Sequence, residues 1–306
     1  MKLNLRKFYT KHFLLKNNYL TLRNNNTKYF FMILNLDKNF KPLEGKEIEF
    51  ENFIFSGGEP HIKIKPFDIS SEITITHRLN SFNDLGLLCV TVDALRRMNV
   101  KKISLFIPYF PAARQDRVMV AGEPLSVKVY AAIINAMQLE KVTVFDAHSE
   151  VTPALLNNCE VISNHKFIKE VIEKIGKEVK LISPDGGALK KIYKVSEFLG
   201  GLEVVECSKS RDVKTGKLTG FKVYADDLKG TTCLIVDDIC DGGGTFLGLA
   251  DELKNKNAGD LYLAISHGIF NKGFDDLNGK FKGIFTTDSF KDFESELVQI
   301  KLKELL

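Results

Sequence analysis

The stretch "CLIVDDICDGGGTFLGLADEL", residues 233–253, decides how the rest of the chain is read. A run of Leu, Ile and Val ends in Asp237 and Asp238, and a third carboxylate follows at Asp241. Gly242, Gly243, Gly244 and Thr245 then open a helical pattern. A buried strand that passes through a short turn into a helix is the unit of a parallel sheet, and such sheets bind ligands beyond the carboxyl ends of their strands. The three glycines let backbone N–H groups approach an anion with no Cβ in the way. Thr245 adds a hydroxyl at a helix N-terminus, where unpaired amides and the helix dipole favour phosphate. Carboxylates repel phosphate, so Asp237, Asp238 and Asp241 must serve another part of the ligand, and sugar hydroxyls donating to them are the natural partners. The stretch therefore predicts a phosphorylated sugar. A solvated Asp/Gly turn is the plainer reading. Three acids and three glycines between a β run and a helix argue against it.

Working outward, "VKKISLFI" (100–107), "KVTVFD" (141–146), "VKLIS" (179–183), "LEVVE" (202–206), "TCLIVD" (232–237) and "LYLAIS" (261–266) read as strands. "LSVKVYAAIINAMQ" (125–138), with Ser126 as its N-cap, "ALKKIYKVSEFLG" (188–200) and a segment from about Thr245 read as helices. In "NHKFIKEVIEKIGK" (164–177), Phe167, Ile168, Val171, Ile172 and Ile175 share one face, which makes it an amphipathic helix. Strands alternating with helices of this length mean crossover units and a largely parallel sheet. The alternation occurs in both halves, with the 164–177 helix near the seam and no long Pro- or Ser-rich linker. Two closely packed α/β domains are expected, at 32–165 and 166–306.

No apolar run in the 306 residues approaches the ~20 needed to cross a bilayer, so a membrane partner is not expected. The five cysteines are odd in number, scattered and form no CxxC pair, which favours a reducing, cytoplasmic setting over a disulfide framework or a zinc site. The net charge of +4 is uneven: residues 1–31 carry seven Lys/Arg and no acid, and without those seven charges the remainder stands at −3. The slightly acidic body gives no reason to expect nucleic acid. The basic leader lacks the Arg/Ser bias of a transit peptide and the apolar core of a secretory signal. It reads as a disordered extension, or as sequence translated upstream of a start at Met32.

Four further segments carry chemistry. Arg114, Gln115 and Asp116 follow a strand and a Pro-containing turn in "IPYFPAARQDR" (107–117), where a loop would meet a polyphosphate. A guanidinium suits phosphate bidentately; a surface ion pair is the alternative. His148 follows strand 141–146 directly, on the carboxyl edge, where an imidazole can bind metal or phosphate. Asp185 ends strand 179–183, and Gly186–Gly187 leave backbone room beside it. An oxygen ligand there suits Mg²⁺, which takes few carboxylates plus substrate phosphates. The remaining histidines, His12, His61, His77, His165 and His267, read as exposed or core. "CSKSRDVKTGKLTG" (207–220) reads either as a mobile lid or as an exposed hairpin turning at Thr215–Gly216.

"LIVDDICDGGGT" resembles the phosphoribosyl-diphosphate signature of type I phosphoribosyltransferases and ribose-phosphate diphosphokinases, and only the second family accounts for the other segments. "IPYFPAARQDR" is similar to its PYxxxARQDR segment and "VTVFDAHS" (142–149) to its strand ending in Asp-x-His. "ISPDGGALKK" (182–191) is similar to its Ser-Pro-Asp-x-Gly turn, and "FSGGEPHIKI" (55–64) to its FxxGE segment. These matches run in family order over about residues 32–290.

The resemblance implies two type I phosphoribosyltransferase-like domains, each a mostly parallel sheet flanked by helices. It implies the transfer of a diphosphoryl group from ATP to the C1 hydroxyl of ribose 5-phosphate. Phe55, Glu59, Arg114, Gln115, Asp116 and His148 would meet ATP. Asp237, Asp238, Asp241, Gly242, Gly243, Gly244 and Thr245 would meet ribose 5-phosphate. His148 and Asp185 would hold Mg²⁺. Lys209 and Arg211 match the Lys-x-Arg of a flexible loop that stabilises the transferring phosphates. The resemblance also implies self-association, a dimer at least and a hexamer of dimers, with the FxxGE segment entering a neighbour's ATP site. The chain departs from the family in that Gly-Gly-Gly-Thr stands where Thr-Ala-Gly-Thr is usual, Gly57 replaces the acid of FxDGE, and the Gln that often follows the His-containing turn is missing after His148–Ser149. A catalytically silent regulatory subunit and a salvage phosphoribosyltransferase are the rival readings. Lys209, Arg211, His148 and Asp185 together weigh against the first, and the 55–59 and 114–116 segments weigh against the second.

Overall fold

The structure is a computed structural model that describes residues 32–67, 72–211, 218–294 and 297–306, with the side chains of 211, 218 and 219 outside the description. The basic leader lies outside the described residues. The first half holds β1 (Met32–Asn35), β2 (Lys46–Glu47), β3 (Phe50–Ile54), β4 (Pro60–Ile64), β5 (Ile73–Thr76), β6 (Ile103–Ile107), β7 (Lys141–Phe145) and β8 (Cys159–Ile162). Six of these form an all-parallel sheet in the order β2-β1-β5-β6-β7-β8, while β3 and β4 pair apart from it as an antiparallel hairpin. The second half holds β9 (Val179–Ser183), β10 (Val204–Arg211), β11 (Leu218–Val223), β12 (Thr232–Cys240), β13 (Leu261–Gly268), β14 (Gly283–Thr287) and β15 (Val298–Ile300). They form a second sheet in the order β11-β10-β9-β12-β13-β14-β15, antiparallel only at β10–β11.

The crossovers run through α1 (Phe82–Arg97), α2 (Ser126–Ala136), α3 (Val151–Leu155), α4 (His165–Ile175), α5 (Leu189–Phe198) and α6 (Gly244–Asn255), with short α7 (Asp275–Asn278) and α8 (Leu302–Leu305) near the end. None of the described helices is long and apolar enough to cross a membrane. At the start of α1 the Ser81 hydroxyl accepts from Asp84 N (3.2 Å) and donates to the Asp84 carboxylate (2.8 Å), so cap and third residue satisfy each other. The N-cap expected at Ser126 is not there. Leu125 holds the cap position with φ −87° and ψ 78°, no side chain caps the helix, and Ser126 is already its first residue.

Two apolar layers lie one against each sheet, and a third is shared. Phe40, Phe106 and Phe145 from the first half meet Phe167 and Val171 of α4 and Leu181, Leu234 and Phe285 of the second sheet. The face of α4 expected from its spacing is therefore the face that joins the two halves. Arg78 crosses the same boundary: its Nε donates to Asp37 (2.5 Å), its Nη2 to Asp292 (2.9 Å) and its Nη1 to the Asp288 carbonyl (3.3 Å). His77 and His267 are core residues, His61 is exposed and His165 half-buried.

The second sheet reverses its direction of growth between β9 and β12. The chain runs outward from β9 to β10 and β11, then crosses back to begin β12 on the other side of β9. A crevice opens at such a switch point because the connections on either side leave toward opposite faces. The loop after β9 carries Asp185 and the end of β12 carries Asp237 and Asp238, so both segments meet there.

Candidate active site

A cavity of about 580 Å³ occupies that crevice. Its floor is the end of β12 with the glycine turn, its walls are the 185–192 segment and Lys209 of β10, and Arg114, Arg117, Asp146, His148 and Asn164 close it from the first half. All seven residues expected at the sugar phosphate line it: Asp237, Asp238, Asp241, Gly242, Gly243, Gly244 and Thr245. So do His148, Asp185, Arg114 and Lys209. Strand β12 was expected to end at Asp237. It continues to Cys240 because β13 keeps pairing with it, Ile239 opposite His267 and Cys240 opposite Gly268. Asp237 and Asp238 are thus strand residues whose carboxylates both line the cavity, and only Asp241 lies in the turn.

The carboxylates have different partners. Asp238 is buried; its Oδ2 lies 2.6 Å from His148 Nδ1 and 3.5 Å from Lys191 Nζ. Burial pushes this carboxyl up, but the hydrogen bond to His148 and the charges of Lys191 and His148 outweigh it and hold it well below its ordinary range. Among the described residues none forms a salt bridge with Asp237, and Lys191 acts on it only at longer range. Burial, then the nearby charges of Asp238 and Asp185, push it well above the usual carboxylate range. Asp241 accepts from Arg114 Nη2 at 2.7 Å, a contact between residues 127 positions apart. Asp185 accepts from the amides of Gly187 (2.8 Å) and Ala188 (3.0 Å) and pairs with Lys209. Burial raises the Asp185 carboxyl, and Lys209 more than offsets that, so it stays below its ordinary value.

The glycine turn leads into α6 through Gly243, which caps the helix in the left-handed region at φ +75°. A Cβ on Gly243 would stand 3.3 Å from Leu277 Cδ2, directed at the core. A side chain is excluded at Gly243 by backbone conformation and core packing, which leaves the backbone of the turn open to close approach.

Some expected residues are elsewhere. Gln115 and Asp116 are not among the lining residues; Gln115 is exposed, and Asp116 is buried against Arg117, whose Nε donates to it at 2.8 Å. Phe55 and Glu59 sit at the tip of the β3–β4 hairpin, away from the cavity wall, with Phe55 packed edge-on against Phe53 at 4.8 Å. Of the two readings of 207–220, lid or hairpin, the described ends are those of a hairpin: Cys207–Arg211 pairs antiparallel with 218–223, with an irregularity between Ser210 and Arg211. Residues 212–217 and the Arg211 side chain lie outside the described residues, so that half of the Lys-x-Arg pair has no described geometry.

Four charged lining residues were given no role from the sequence: Asp146, Lys191, Arg117 and Lys272. Asp146 is buried at φ +40° and accepts from Asn164 Nδ2 (3.0 Å), Ser266 Oγ (2.5 Å) and Lys191 Nζ (3.2 Å). Lys191 therefore bridges Asp146 of the first half and Asp238 of the second. Burial lowers its ammonium and the two carboxylates more than compensate, so it is held above its ordinary value. The visible signal was its place in the first turn of α5, just after the Ser-Pro-Asp turn; its partners Asp146 and Asp238 are 45 and 47 residues away and needed the fold.

Comparison with known proteins agrees in both halves. Residues 51–137 match the family model described as the N-terminal domain of ribose phosphate pyrophosphokinase, and residues 155–298 match the phosphoribosyl transferase domain. The ribose-phosphate pyrophosphokinase of Thermococcus kodakarensis is 32% identical over 232 residues, covering 74% of this chain and 80% of that protein. The Mycoplasmopsis pulmonis ribose-phosphate pyrophosphokinase is 28% identical over 258 residues, covering 82% and 79%. The crystal structure of phosphoribosylpyrophosphate synthetase from Mycobacterium smegmatis superposes with a TM-score of 0.79 over 90% of this chain and 96% of that one, at 21% identity, a likeness of fold. The two domain matches occur in order on the two sheets whose junction holds the cavity, and a named relative is matched over four-fifths of its length; the chain belongs to the ribose-phosphate pyrophosphokinase family.

Proposed function

We propose that this chain transfers the diphosphoryl group of ATP to the C1 hydroxyl of ribose 5-phosphate, giving 5-phosphoribosyl 1-diphosphate and AMP. The observation that carries the reading is the Arg114–Asp241 contact, which joins the polyphosphate-type segment of one half to the glycine turn of the other in a single cavity. In the reaction the C1 oxygen bonds to the β-phosphorus, the bond from that phosphorus to the α–β bridging oxygen breaks, AMP departs with that oxygen, and the proton of the C1 hydroxyl is released to solvent. Such transfers depend on alignment and charge neutralisation more than on covalent catalysis. The glycine turn and α6 would hold the 5-phosphate, and Asp237 and Asp241 would accept from ribose hydroxyls. Lys209, freed from Asp185, and Arg114 would meet the moving phosphates.

The donor set suits Mg²⁺. Among the described residues no three His, Cys, Asp or Glu side chains are grouped to hold a metal by themselves, as fits an ion that takes one or two carboxylates and completes its shell with phosphates and water. Asp237, destabilised in its charged form by Asp238 and Asp185, gains from a cation nearby. Asp185 and His148 would hold the ion, His148 oriented through Nδ1 by Asp238. The ion would neutralise phosphate charge.

Self-association accounts for the hairpin tip. Phe55, 51% exposed, offers a stacking face and Glu59 an acceptor, yet neither lines this chain's cavity; on a neighbouring copy they would complete its ATP site. Mixing a Phe55→Ala, Glu59→Ala chain with a Lys209→Ala chain should restore part of the activity that each lacks alone. No recovery in a mixture shown to exchange subunits refutes the shared site. The five free cysteines suit a reducing cytoplasm. The reaction is tested by incubating the protein with ATP, Mg²⁺ and ribose 5-phosphate. AMP and phosphoribosyl diphosphate should appear in equal amounts, and a protein that forms neither is not this enzyme.

A further inference from the structure

Five Lys and Arg side chains line the cavity: Arg114, Arg117, Lys191, Lys209 and Lys272. Four are already neutralised, Arg114 by Asp241, Arg117 by Asp116, Lys191 by Asp146 and Asp238, and Lys209 by Asp185. Among the described residues Lys272 has no acidic partner. Its position is set by the backbone. Ile269 N and Phe270 N donate to the Cys240 carbonyl (2.9 and 3.1 Å) and Asn271 N donates to the Asp241 carbonyl (3.0 Å), so the loop after β13 is fastened along the end of β12. Phe270 and Gly273, at φ +45° and +75°, then turn that loop back on itself. Gly268 makes room for the turn, since a Cβ there would lie 2.3 Å from the Phe270 ring. As a result Lys272 Cε lies 3.5 Å from where a Cβ on Gly242 would stand. The stem packs on the glycine turn, one bond short of the ammonium.

We propose that Lys272 supplies the full positive charge for the 5-phosphate and sets the site's preference for a dianionic over an uncharged 5-substituent, an inference that rests on the ribose 5-phosphate reading above. The turn's amides and the α6 dipole contribute partial charges only, and the side chains nearest in sequence, Asp237, Asp238 and Asp241, are acids. A dianion beside three carboxylates needs a cation. Arg114, which also lines the cavity, is engaged by Asp241 of the turn. A lysine on a flexible stem, exposed at the cavity mouth, can follow the phosphate as a point charge.

The test is calorimetric titration of ribose 5-phosphate into the protein with Mg²⁺ and a non-hydrolysable ATP analogue, for the parent, Lys272→Met and Lys272→Arg. Lys272 is exposed, so the variants should melt with the parent. Loss of a charge-assisted phosphate contact should weaken ribose 5-phosphate binding by roughly tenfold in Lys272→Met and leave the analogue's affinity unchanged. Lys272→Arg should recover most of it, and the salt dependence of binding should flatten only in Lys272→Met. The proposal is overturned if Lys272→Met binds ribose 5-phosphate within twofold of the parent, or loses the ATP analogue to the same extent. A parent that binds the sugar phosphate in this titration yet forms no product in the separate incubation with ATP sinks the reaction reading and leaves the Lys272 assignment standing. A parent that binds no ribose 5-phosphate sinks both.

Discussion

Lys209→Ala separates a structural ion pair from a catalytic charge. Lys209 and Asp185 are each a little over one-fifth exposed, so their pairing is partly screened and contributes about 1 kcal/mol to stability. Asp185 does not depend on it, because the amides of Gly187 and Ala188 donate to it at 2.8 and 3.0 Å and remain when the lysine is gone. A loss of about 1 kcal/mol lowers the melting temperature of a chain this long by roughly 2–4 °C. The rate should respond far more. A charge presented to the transferring phosphates and made available only as the reaction proceeds is worth about 10²–10³ in kcat, or about 2.7–4 kcal/mol of barrier. Steady-state kinetics with both substrates varied, beside thermal melts of the same preparations, read the two effects separately. The expected pattern is a large fall in kcat, small changes in both KM values and a melting temperature within a few degrees of the parent. A variant that keeps kcat within a few-fold while melting much earlier would show that Lys209 only fastens β10 to the β9 turn.

Asp241→Ala should raise the KM for ribose 5-phosphate about tenfold and that for ATP much less, since it removes a hydroxyl acceptor while only releasing Arg114; equal effects on both substrates would place the pocket wrongly. Gly243→Val should lose about 1–2 kcal/mol or more of stability, because a β-branched residue is forced to φ +75° and its Cβ meets Leu277 at 3.3 Å; an unchanged melting curve refutes that. His77 is buried with neither ring nitrogen hydrogen-bonded, beside Asp84, Asp37 and Arg78, and burial keeps it neutral below its ordinary range. The unfolded chain therefore takes up this proton first, and the stability present above about pH 6.5 is withdrawn as the pH falls. His77→Leu should match or exceed the parent in melting temperature at pH 7.5 and lose less between pH 6.5 and 5; a steeper acid loss would contradict the assignment.

The strand–turn–helix at 232–245 was legible because its pattern is local: a β-branched run, then residues chosen for backbone freedom. Its end was misjudged by three residues because Asp237 and Asp238 look like turn residues, and only the continued pairing with β13 makes them part of the strand. The α4 face could be read from its spacing, since an apolar stripe must be covered whatever covers it. The Ser126 cap failed because residue type sets a preference while the entry of the chain into α2 sets the cap geometry. The carboxylate roles were the least legible. Asp237, Asp238 and Asp241 look alike in sequence, and they differ because His148, Lys191 and Arg114 arrive from elsewhere. The hairpin at 50–64 was seen only as a family segment, because apolar residue types alone give no sign that Phe53, Ile54 and Phe55 are all exposed.

The central claim is that a whole diphosphoryl group moves to the sugar. The most direct measurement gives the protein ribose 5-phosphate, Mg²⁺ and ATP labelled separately at the β- and γ-phosphorus, and separates the products. Both labels should appear together in a phosphorylated pentose, with unlabelled AMP as the co-product. Transfer of the γ-label alone, with the β-label left in ADP, or release of label only into free phosphate, would contradict the account.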